Sequence, residues 1–193
     1  MNLLRDYQKQ AIQDIRKHFS NGKKKVLLVA PTGSGKTVIA SSMLEQAKER
    51  GNFGLFVAHR RELVMQCSRK LADFEIKHGV IMANKSGNLY ADIQIASIQT
   101  FTSRVGRDDF IKPNAHIIII DEAHRSTSAS FKKLIAEYPD AWVIGLTATP
   151  CRADGKGLGS VYQELVECGN IKELTQKGYL VPNRIVAPTI PDL

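Results

Sequence analysis

The sequence predicts an α/β fold with a mostly parallel open sheet and helices on both of its faces. Short runs rich in Val, Ile and Leu alternate along the chain with longer segments of helical periodicity, an order that is typical of βαβ units. Most of these runs are apolar at every position rather than at alternate positions, which indicates strands that are covered on both faces. We therefore expect a parallel sheet between two layers of helices.

The predicted elements begin with a helix whose apolar face includes Tyr7, Ile12 and Phe19 and which ends at the Asn21-Gly22 pair. The predicted strands cover residues 25–30, 53–58, 79–83, 92–96, 115–120 and 142–146. Helical spacing of apolar residues predicts further helices at 38–50, near 63–71 and near 131–138. Strands and helices thus alternate as a doubly covered parallel sheet requires.

Composition limits the class of protein. A chain of 193 residues is long enough for one α/β core, so we expect a single domain with a tail. Residues 1–20 are charged and amphipathic, unlike a secretory signal, and no apolar run approaches the roughly 20 residues of a membrane span. Cys67, Cys151 and Cys168 are scattered, which fits packing residues in a reducing compartment rather than a zinc site or disulfides.

The positive charge is concentrated at the start of the chain. The formal net charge is +8, and residues 1–25 carry seven Lys or Arg against two Asp or Glu. A basic domain is consistent with a polyphosphate ligand, of which nucleic acid is the commonest. Lys23, Lys24 and Lys25 follow a predicted turn, however, and such a run is also typical of a solvated loop. Charge alone leaves both interpretations open.

A phosphate-binding loop is predicted at residues 30–37, between a buried strand and a helix. Gly33 and Gly35 allow the sharp turn that points successive N–H groups into one concavity, which binds anions. Lys36 supplies an ammonium for the β- and γ-phosphates, and the Thr37 hydroxyl is a ligand for Mg²⁺. The position that usually carries the first glycine is Ala30. The Gly-Lys-Thr end, which performs the phosphate and metal chemistry, is intact.

A second strong signal is the sequence Asp121-Glu122-Ala123-His124, which follows the apolar run at 115–120. A strand-end acid is what a nucleotide-bound Mg²⁺ needs opposite the loop hydroxyl, and we assign this role to Asp121. Glu122 is then placed to orient and deprotonate an attacking water, and His124 to link the nucleotide to a neighbouring element. The alternative is a strand that simply leaves the core into a charged loop.

The chain start offers a weaker signal for a nucleobase. Arg5 and Gln8 are three residues apart, or about one helical turn. A side-chain amide can donate to and accept from one base edge, and a guanidinium can lie flat on a base. Polar residues at a helix start are also commonly solvated, so the residues alone do not decide between these interpretations.

Further polar residues follow other strands at the carboxyl edge, where ligands of open parallel sheets bind. Arg60 and Arg61 follow the run at 53–58, where they suit the phosphates of a second polyanion, or else form a charged helix start. The residues with hydroxyl groups at this edge, which are phosphate contacts, relays or helix caps, are Ser97, Thr100, Thr147 and Thr149.

Taken together, these motifs resemble the N-terminal RecA-like motor domain of a superfamily 2 helicase or translocase of the DEAH-box type, similar to RadD-like bacterial and phage DNA helicases. The motifs occur in the family's order over residues 3–150, as LRDYQ, APTGSGKT, VAHRREL, SIQT, DEAH and TAT. The resemblance implies a RecA-like P-loop domain. It also implies ATP bound by Arg5, Gln8, Thr32, Gly33, Ser34, Gly35, Lys36 and Thr37, with Mg²⁺ held by Thr37 and Asp121.

The resemblance assigns the remaining roles as well. Catalysis falls to Glu122 with Asp121, Lys36 and His124; nucleic-acid contacts to Arg60, Arg61, Ser97 and Thr100; and coupling to His124, Thr147 and Thr149. It favours DNA over RNA as the partner, and a bacterial or phage-infected cytoplasm as the location.

The resemblance also implies a second RecA-like domain, because the arginines that reach the γ-phosphate lie there in such motors. We therefore divide the chain into an ATP-binding domain at 1–165 and a segment at 166–193 that leads toward the second domain. Two other classes of protein compete with this interpretation. A small-molecule kinase would need an arginine-rich lid and an acceptor pocket, neither of which the sequence offers. A stand-alone ATP-sensing or nucleic-acid-binding module remains the alternative.

Overall fold

A computed structural model describes residues 4–83, 85–150, 155 and 157–182. The helices are α1 (Asp6–Ser20), α2 (Lys36–Glu49), α3 (Arg61–Asp73), α4 (Ile98–Arg104), α5 (Ala129–Ala136) and α6 (Ile171–Gln176), with a 3-10 turn at Ala123–Arg125. The strands are β1 (Lys25–Val29), β2 (Gly54–Ala58), β3 (Gly79–Met82), β4 (Lys85–Ser86), β5 (Ile93–Ser97), β6 (Ile117–Ile120), β7 (Trp142–Thr147) and β8 (Glu164–Glu167).

The strands form one eight-stranded sheet in the order β4-β3-β5-β2-β6-β7-β1-β8. All pairings are parallel except that of β4 with β3. The predicted fold class, a mostly parallel open sheet, is therefore confirmed. The sequence analysis did not predict β4 and β8, which lie at the two edges. Both are short and contain charged residues, so neither carries the apolar signature of a strand covered on both faces.

Two helical layers cover the sheet, as predicted. Along β2 the side chains alternate between them, because successive residues of a strand point to opposite faces. Phe56 packs with residues of α1, α2 and α3, whereas Leu55 and Val57 pack with residues of α4 and α5. All five residues of β2 are buried. The central strands are thus fully apolar because each of their faces meets a helical layer.

The parallel arrangement brings the carboxyl ends of five strands to one rim, in the order β5, β2, β6, β7 and β1. Neighbouring ends are joined by the main chain: the Asp121 N–H donates to Val57 O over 2.9 Å, and the Ala30 N–H donates to Thr147 O over 2.9 Å. Segments far apart in sequence therefore leave the sheet side by side.

The C-terminal part of the described chain continues the same sheet. β8 pairs in parallel with β1, from Val26 opposite Glu164 to Val29 opposite Glu167. The domain boundary predicted between residues 165 and 166 falls inside this strand, which pairs with β1 along its whole length, and the division of the chain into two parts stays a prediction. Residues 183–193, which belong to the predicted segment toward a second domain, lie outside the described residues.

The cysteines in the described ranges, Cys67 and Cys168, are free and buried. Burial raises the pKa of the Cys168 thiol to about 11, although the nearby Lys36 charge acts in the opposite direction. Both are thus packing residues, as the sequence predicts, and Cys151 lies outside the described residues. None of the helices in the described ranges combines the length and apolarity needed to cross a membrane.

Gly145 of β7 offers a test of how the segment after β7 supports the rim. A Cβ at this position would overlap the ring of buried Tyr162. We expect Gly145→Ala to lower the free energy of unfolding by about 1–3 kcal/mol, because an added methyl group must displace a packed ring. The measurement is urea denaturation. Gly159→Ala is the control, since a Cβ there meets open space, and equal stability of the two variants would contradict this packing.

Candidate functional site

A cleft of about 860 Å³ lies at the rim, where the loop after β1 faces the segments after β6 and β7. It unites the residues that the sequence analysis assigned to phosphate, metal and catalytic roles. The predicted site residues that line it are Thr32, Gly33, Gly35, Lys36, Thr37, Asp121, Glu122, His124, Thr147 and Thr149. Three residues of the predicted ATP-binding set, Arg5, Gln8 and Ser34, are not part of its lining.

The loop after β1 has the backbone that a phosphate-binding loop needs. Gly33 and Gly35 both have φ of 84°, a region that L side chains rarely adopt. Gly35 precedes the first residue of α2, so the free N–H groups of that helix begin at the cleft. Ala30, which replaces the usual first glycine, is fully buried in the core. Its φ is not positive, so this position does not require glycine.

Lys36 is held against the loop itself. Its Nζ donates to Ala30 O over 2.9 Å and to Pro31 O over 3.2 Å. Burial lowers the pKa of Lys36, and the charges of Asp121 and Cys168 act in the opposite direction. These carbonyls fix the ammonium at the loop, where a phosphate group would face it.

Asp121 carries the opposite charge across the cleft. Burial is the main cause that raises the pKa of Asp121, and the charge of Glu122 raises it further. Three groups act in the opposite direction and lower this pKa: the Glu122 N–H, which donates to Oδ1 over 2.9 Å, and the charges of Lys36 and His124. A carboxylate in this environment gains from a cation placed beside it. The carboxylate at this strand end could therefore hold a cation.

Glu122 adopts an unusual backbone conformation, with φ of 50° and ψ of 52°. The left-handed region costs a non-glycine residue about 1–2 kcal/mol, and such strain concentrates at functional sites. The Oε2 atom is buried and has no hydrogen-bond partner among the described residues, although Arg125 Nε lies 3.6 Å away. The second carboxylate is thus held at the cleft by its own backbone conformation and by the charge of Arg125.

The segment after β7 forms the remaining wall. The Thr147 hydroxyl donates to Thr149 O over 2.8 Å and accepts from the Thr149 N–H at 3.2 Å, so a side chain holds this turn. Thr147 is buried and Thr149 is exposed. His124 lines the same cleft, but within the described part of the chain no hydrogen bond joins it to either threonine. A coupling role for the three residues stays a prediction.

Gln8 supports the loop directly. Its Nε2 donates to Ser34 O over 2.9 Å, its Oε1 accepts from the Arg5 N–H at 2.9 Å, and it is 3% exposed. Tyr7, which the sequence analysis treated as a core residue, also donates its hydroxyl to Ser34 O over 2.8 Å. The predicted base-reading amide is thus engaged inside the protein, and a contact between Gln8 and a nucleobase stays a prediction.

The cleft also has a wall that sequence reasoning missed. Residues of α3 line it, namely Leu63, Gln66, Arg69, Lys70 and Asp73. Their spacing of three or four residues places them on one side of the helix. The polar members appear in the sequence as an ordinary solvated face, and only the packing of α3 beside α2 brings them to the cleft.

A second polar surface lies beside the cleft, at the ends of β2 and β5. Ala58 pairs with Ser97 in the sheet register, and the exposed Arg60 and Arg61 follow at the start of α3. We call the surface formed by His59, Arg60, Arg61, Ser97 and Gln99 the β2–β5 surface.

Gln99, which the sequence analysis did not select, joins the two halves of the β2–β5 surface. Its Nε2 lies 2.8 Å from His59 Nδ1 and donates to His59 O over 3.0 Å, and its Oε1 accepts from the Ser97 hydroxyl at 2.7 Å. Thr100 lies in α4, is 8% exposed, and accepts from the Ala83 N–H at 3.1 Å. The contact of Thr100 with a nucleic-acid backbone stays a prediction. The buried position of its hydroxyl does not support it.

Several known proteins are similar to this chain. The "Putative ATP-dependent helicase IRC3" of Saccharomyces cerevisiae is 32% identical over 92% of the chain, which covers 28% of that protein. The DNA 3'-5' translocase XPB2 of Sulfurisphaera tokodaii is 27% identical over 79% of the chain, which covers 32% of that protein. The chain therefore spans about a third or less of the length of these relatives.

The fold has counterparts among solved structures. The Hef helicase domain of Pyrococcus furiosus matches with a TM-score of 0.68 and 23% identity, over 85% of this chain and 37% of that one. This likeness confirms the predicted RecA-like fold. A family model described as the res subunit of type III restriction enzymes matches residues 2–152. The chain belongs to this family, whose motor domain is the superfamily 2 type that the motifs predict.

Proposed function

We propose that this chain is the N-terminal motor lobe of an ATP-dependent helicase or translocase that acts on nucleic acid. One observation carries the proposal: Lys36 of the phosphate loop and the Asp121-Glu122 pair line the same cleft, although some 85 residues separate them. A triphosphate between them meets a cation on one side and two carboxylates on the other. The names of the relatives, which include an ATP-dependent helicase and a DNA translocase, support this function.

The site fits Mg²⁺ bound together with ATP. Mg²⁺ is usually held by one or two carboxylates, waters and substrate phosphates rather than by a cage of protein ligands. Thr37 and Asp121 line one cleft, and no cage of three or more His, Cys, Asp or Glu that could hold a metal ion forms anywhere in the described ranges. The Asp121 carboxylate and Thr37 hydroxyl would hold the ion, which would neutralise charge on the phosphates.

The remaining steps, phosphate binding, activation of water and coupling, fall to other residues of this chain. Loop N–H groups and the Lys36 ammonium bind the phosphates. Glu122, which lines the cleft, orients the attacking water and accepts its proton. His124, Thr147 and Thr149 line the same cleft as Glu122, where they would transmit the state of the nucleotide.

A second lobe is part of the proposal. Arginines supplied across the cleft raise the rate of phosphoryl transfer by about 10³- to 10⁵-fold where they have been measured. We propose that the chain alone binds nucleotide weakly and hydrolyses little, and that the segment after β8 leads toward a second RecA-like domain. The greater length of the relatives supports this view.

DNA is the proposed polymer, and the β2–β5 surface is its proposed binding site. Arg60 and Arg61 provide two exposed positive charges for backbone phosphates. The name of the translocase relative, which specifies DNA, supports DNA over RNA. The proposed location is the cytoplasm of a bacterial or phage-infected cell. No specific observation favours the alternative of a stand-alone ATP-sensing module.

The decisive test of the nucleotide site is Lys36→Ala. We expect it to abolish binding of Mg-ATP, because the loop loses the ammonium that faces the phosphates. Isothermal titration calorimetry measures the affinity, and denaturation confirms that the variant folds. Lys132→Ala, which removes an exposed lysine of α5, is the control. Tight binding by the Lys36 variant would refute the assignment of the loop.

Replacement of the proposed catalytic carboxylate separates binding from turnover. In a protein that carries both lobes, we expect Glu122→Gln to keep the ATP affinity within about twofold and to reduce hydrolysis by at least about 10²-fold, in the range typical of general-base loss. The amide preserves the shape of the side chain but cannot accept the proton of water. Steady-state phosphate release measures turnover, and near-normal hydrolysis by the variant would remove Glu122 from its role.

The β2–β5 surface is tested by the salt dependence of DNA binding. For single-stranded DNA, the slope of log K against log salt changes by about 0.7 for each phosphate that the protein no longer neutralises. We expect Arg60→Ala and Arg61→Ala each to weaken binding and to make this slope shallower by about that amount, measured by fluorescence anisotropy. Arg107→Ala, beyond the far end of α4, should change neither. A parallel series with RNA of the same sequence decides the polymer.

A further inference from the structure

A turn near the end of the described chain holds the guanidinium of Arg5. The Arg5 Cζ lies 4.8 Å from the ring centroid of Tyr179, and Nη1 donates to Tyr179 O over 3.4 Å and to the Tyr7 hydroxyl over 3.3 Å. The rings of Tyr7 and Tyr179 lie 5.2 Å apart. We call these three residues the Arg5 cluster. It joins the first helix of the chain to a segment 174 residues away.

Backbone hydrogen bonds fix the main chain at Tyr179, from which the ring extends. The Tyr179 N–H donates to Leu174 O over 2.8 Å, and the Gly178 N–H donates to Thr175 O over 3.0 Å. Gly178 has φ of 72°, so α6 ends in a Schellman motif with glycine in the left-handed position. Leu174 is buried and anchors this helix end. Tyr179 is therefore held in place before any ligand binds.

The Arg5 cluster also touches the phosphate loop. The Tyr7 hydroxyl donates to Ser34 O over 2.8 Å, and Leu180 Cδ2 lies 3.1 Å from where a Cβ on Gly33 would be. The cluster thus lies directly beside the loop that the proposed function assigns to the phosphates of ATP. The cluster is therefore a candidate contact for a nucleobase attached to those phosphates.

We propose that Tyr179 is a positioning residue for nucleobase binding: it holds one face of the Arg5 guanidinium so that the opposite face stacks on the base of ATP. The inference rests on the proposed function and deepens it. Arg5 is exposed despite its contacts, which leaves that opposite face accessible. An arginine side chain loses considerable rotamer freedom when it binds a ligand, and an aromatic ring that already holds its plane reduces this loss.

The test compares ligands with and without a base. Mg-ATP and Mg-tripolyphosphate are titrated into the wild-type chain and into Tyr179→Ala, Tyr179→Phe, Arg5→Ala and the Arg5→Ala/Tyr179→Ala double variant. We expect Tyr179→Ala to weaken ATP binding about 2- to 10-fold and to leave tripolyphosphate binding unchanged. Tyr179→Phe should restore ATP affinity, since the Tyr179 hydroxyl makes no hydrogen bond to the described residues. The double variant should bind ATP no more weakly than Arg5→Ala.

Other outcomes overturn the inference in distinguishable ways. An equal loss for both ligands in Tyr179→Ala would indicate a merely structural role for the turn. Tighter ATP binding by that variant would show that the ring blocks the base. Additive effects in the double variant would show that Tyr179 does not act through Arg5. If the wild-type chain bound neither ligand, the proposed nucleotide site itself would fail.

Discussion

The opposite charges of Lys36 and Asp121 share one partly buried cleft, and the rest of the site depends on that juxtaposition. Burial disfavours both charges, since it lowers the pKa of the ammonium and raises that of the carboxylate, while the attraction between the two groups acts against both shifts. Asp121 directly follows β6, Lys36 begins α2 after the loop that follows β1, and β7 alone separates those two strands. Main-chain hydrogen bonds of the sheet therefore hold the two segments that carry these charges at a defined separation. Two long side chains on a flexible surface would not keep such a separation.

This arrangement explains why the surrounding structure tolerates a strained backbone and a buried carboxylate oxygen at Glu122. Glu122 lies in the left-handed region, and one of its oxygens is buried without a hydrogen bond in the described part of the molecule. The buried Gln8 uses both ends of its amide to hold Ser34 and the start of α1. Such features persist only where neighbouring packing determines them. They keep the phosphate loop and the acidic pair in place before a ligand arrives, so that binding requires little rearrangement.

Local sequence predicted the centre of this site well and its margins poorly. Lys36 and Asp121 were predictable because each follows an apolar strand and belongs to a motif whose spacing has a chemical reason. Edge strand β8 was not predictable, since Glu164 and Glu167 mask its pairing with β1. Tyr179 and the cleft-lining face of α3 also escaped, because their role depends on contacts between segments far apart in the chain. Thr100 shows a limit of the motif: the chain turns into α4 there and the hydroxyl accepts from the Ala83 N–H, which the sequence pattern does not reveal, and its contact with a nucleic-acid backbone stays a prediction.

The order of strands offers a route by which the cleft and the β2–β5 surface would communicate in the proposed function. β6, which carries Asp121, lies between β7 of the cleft wall and β2 of the β2–β5 surface. The Asp121 N–H donates to Val57 O of β2. His59, two residues after Val57, lies 2.8 Å from the amide of Gln99, and Gln99 in turn accepts a hydrogen bond from Ser97 of β5. A shift of the Asp121 backbone must therefore be shared by β2, which is buried along its whole length and cannot bend independently. Coupling between nucleotide and polymer, if it passes through this lobe, has a short and rigid route along adjacent strand ends.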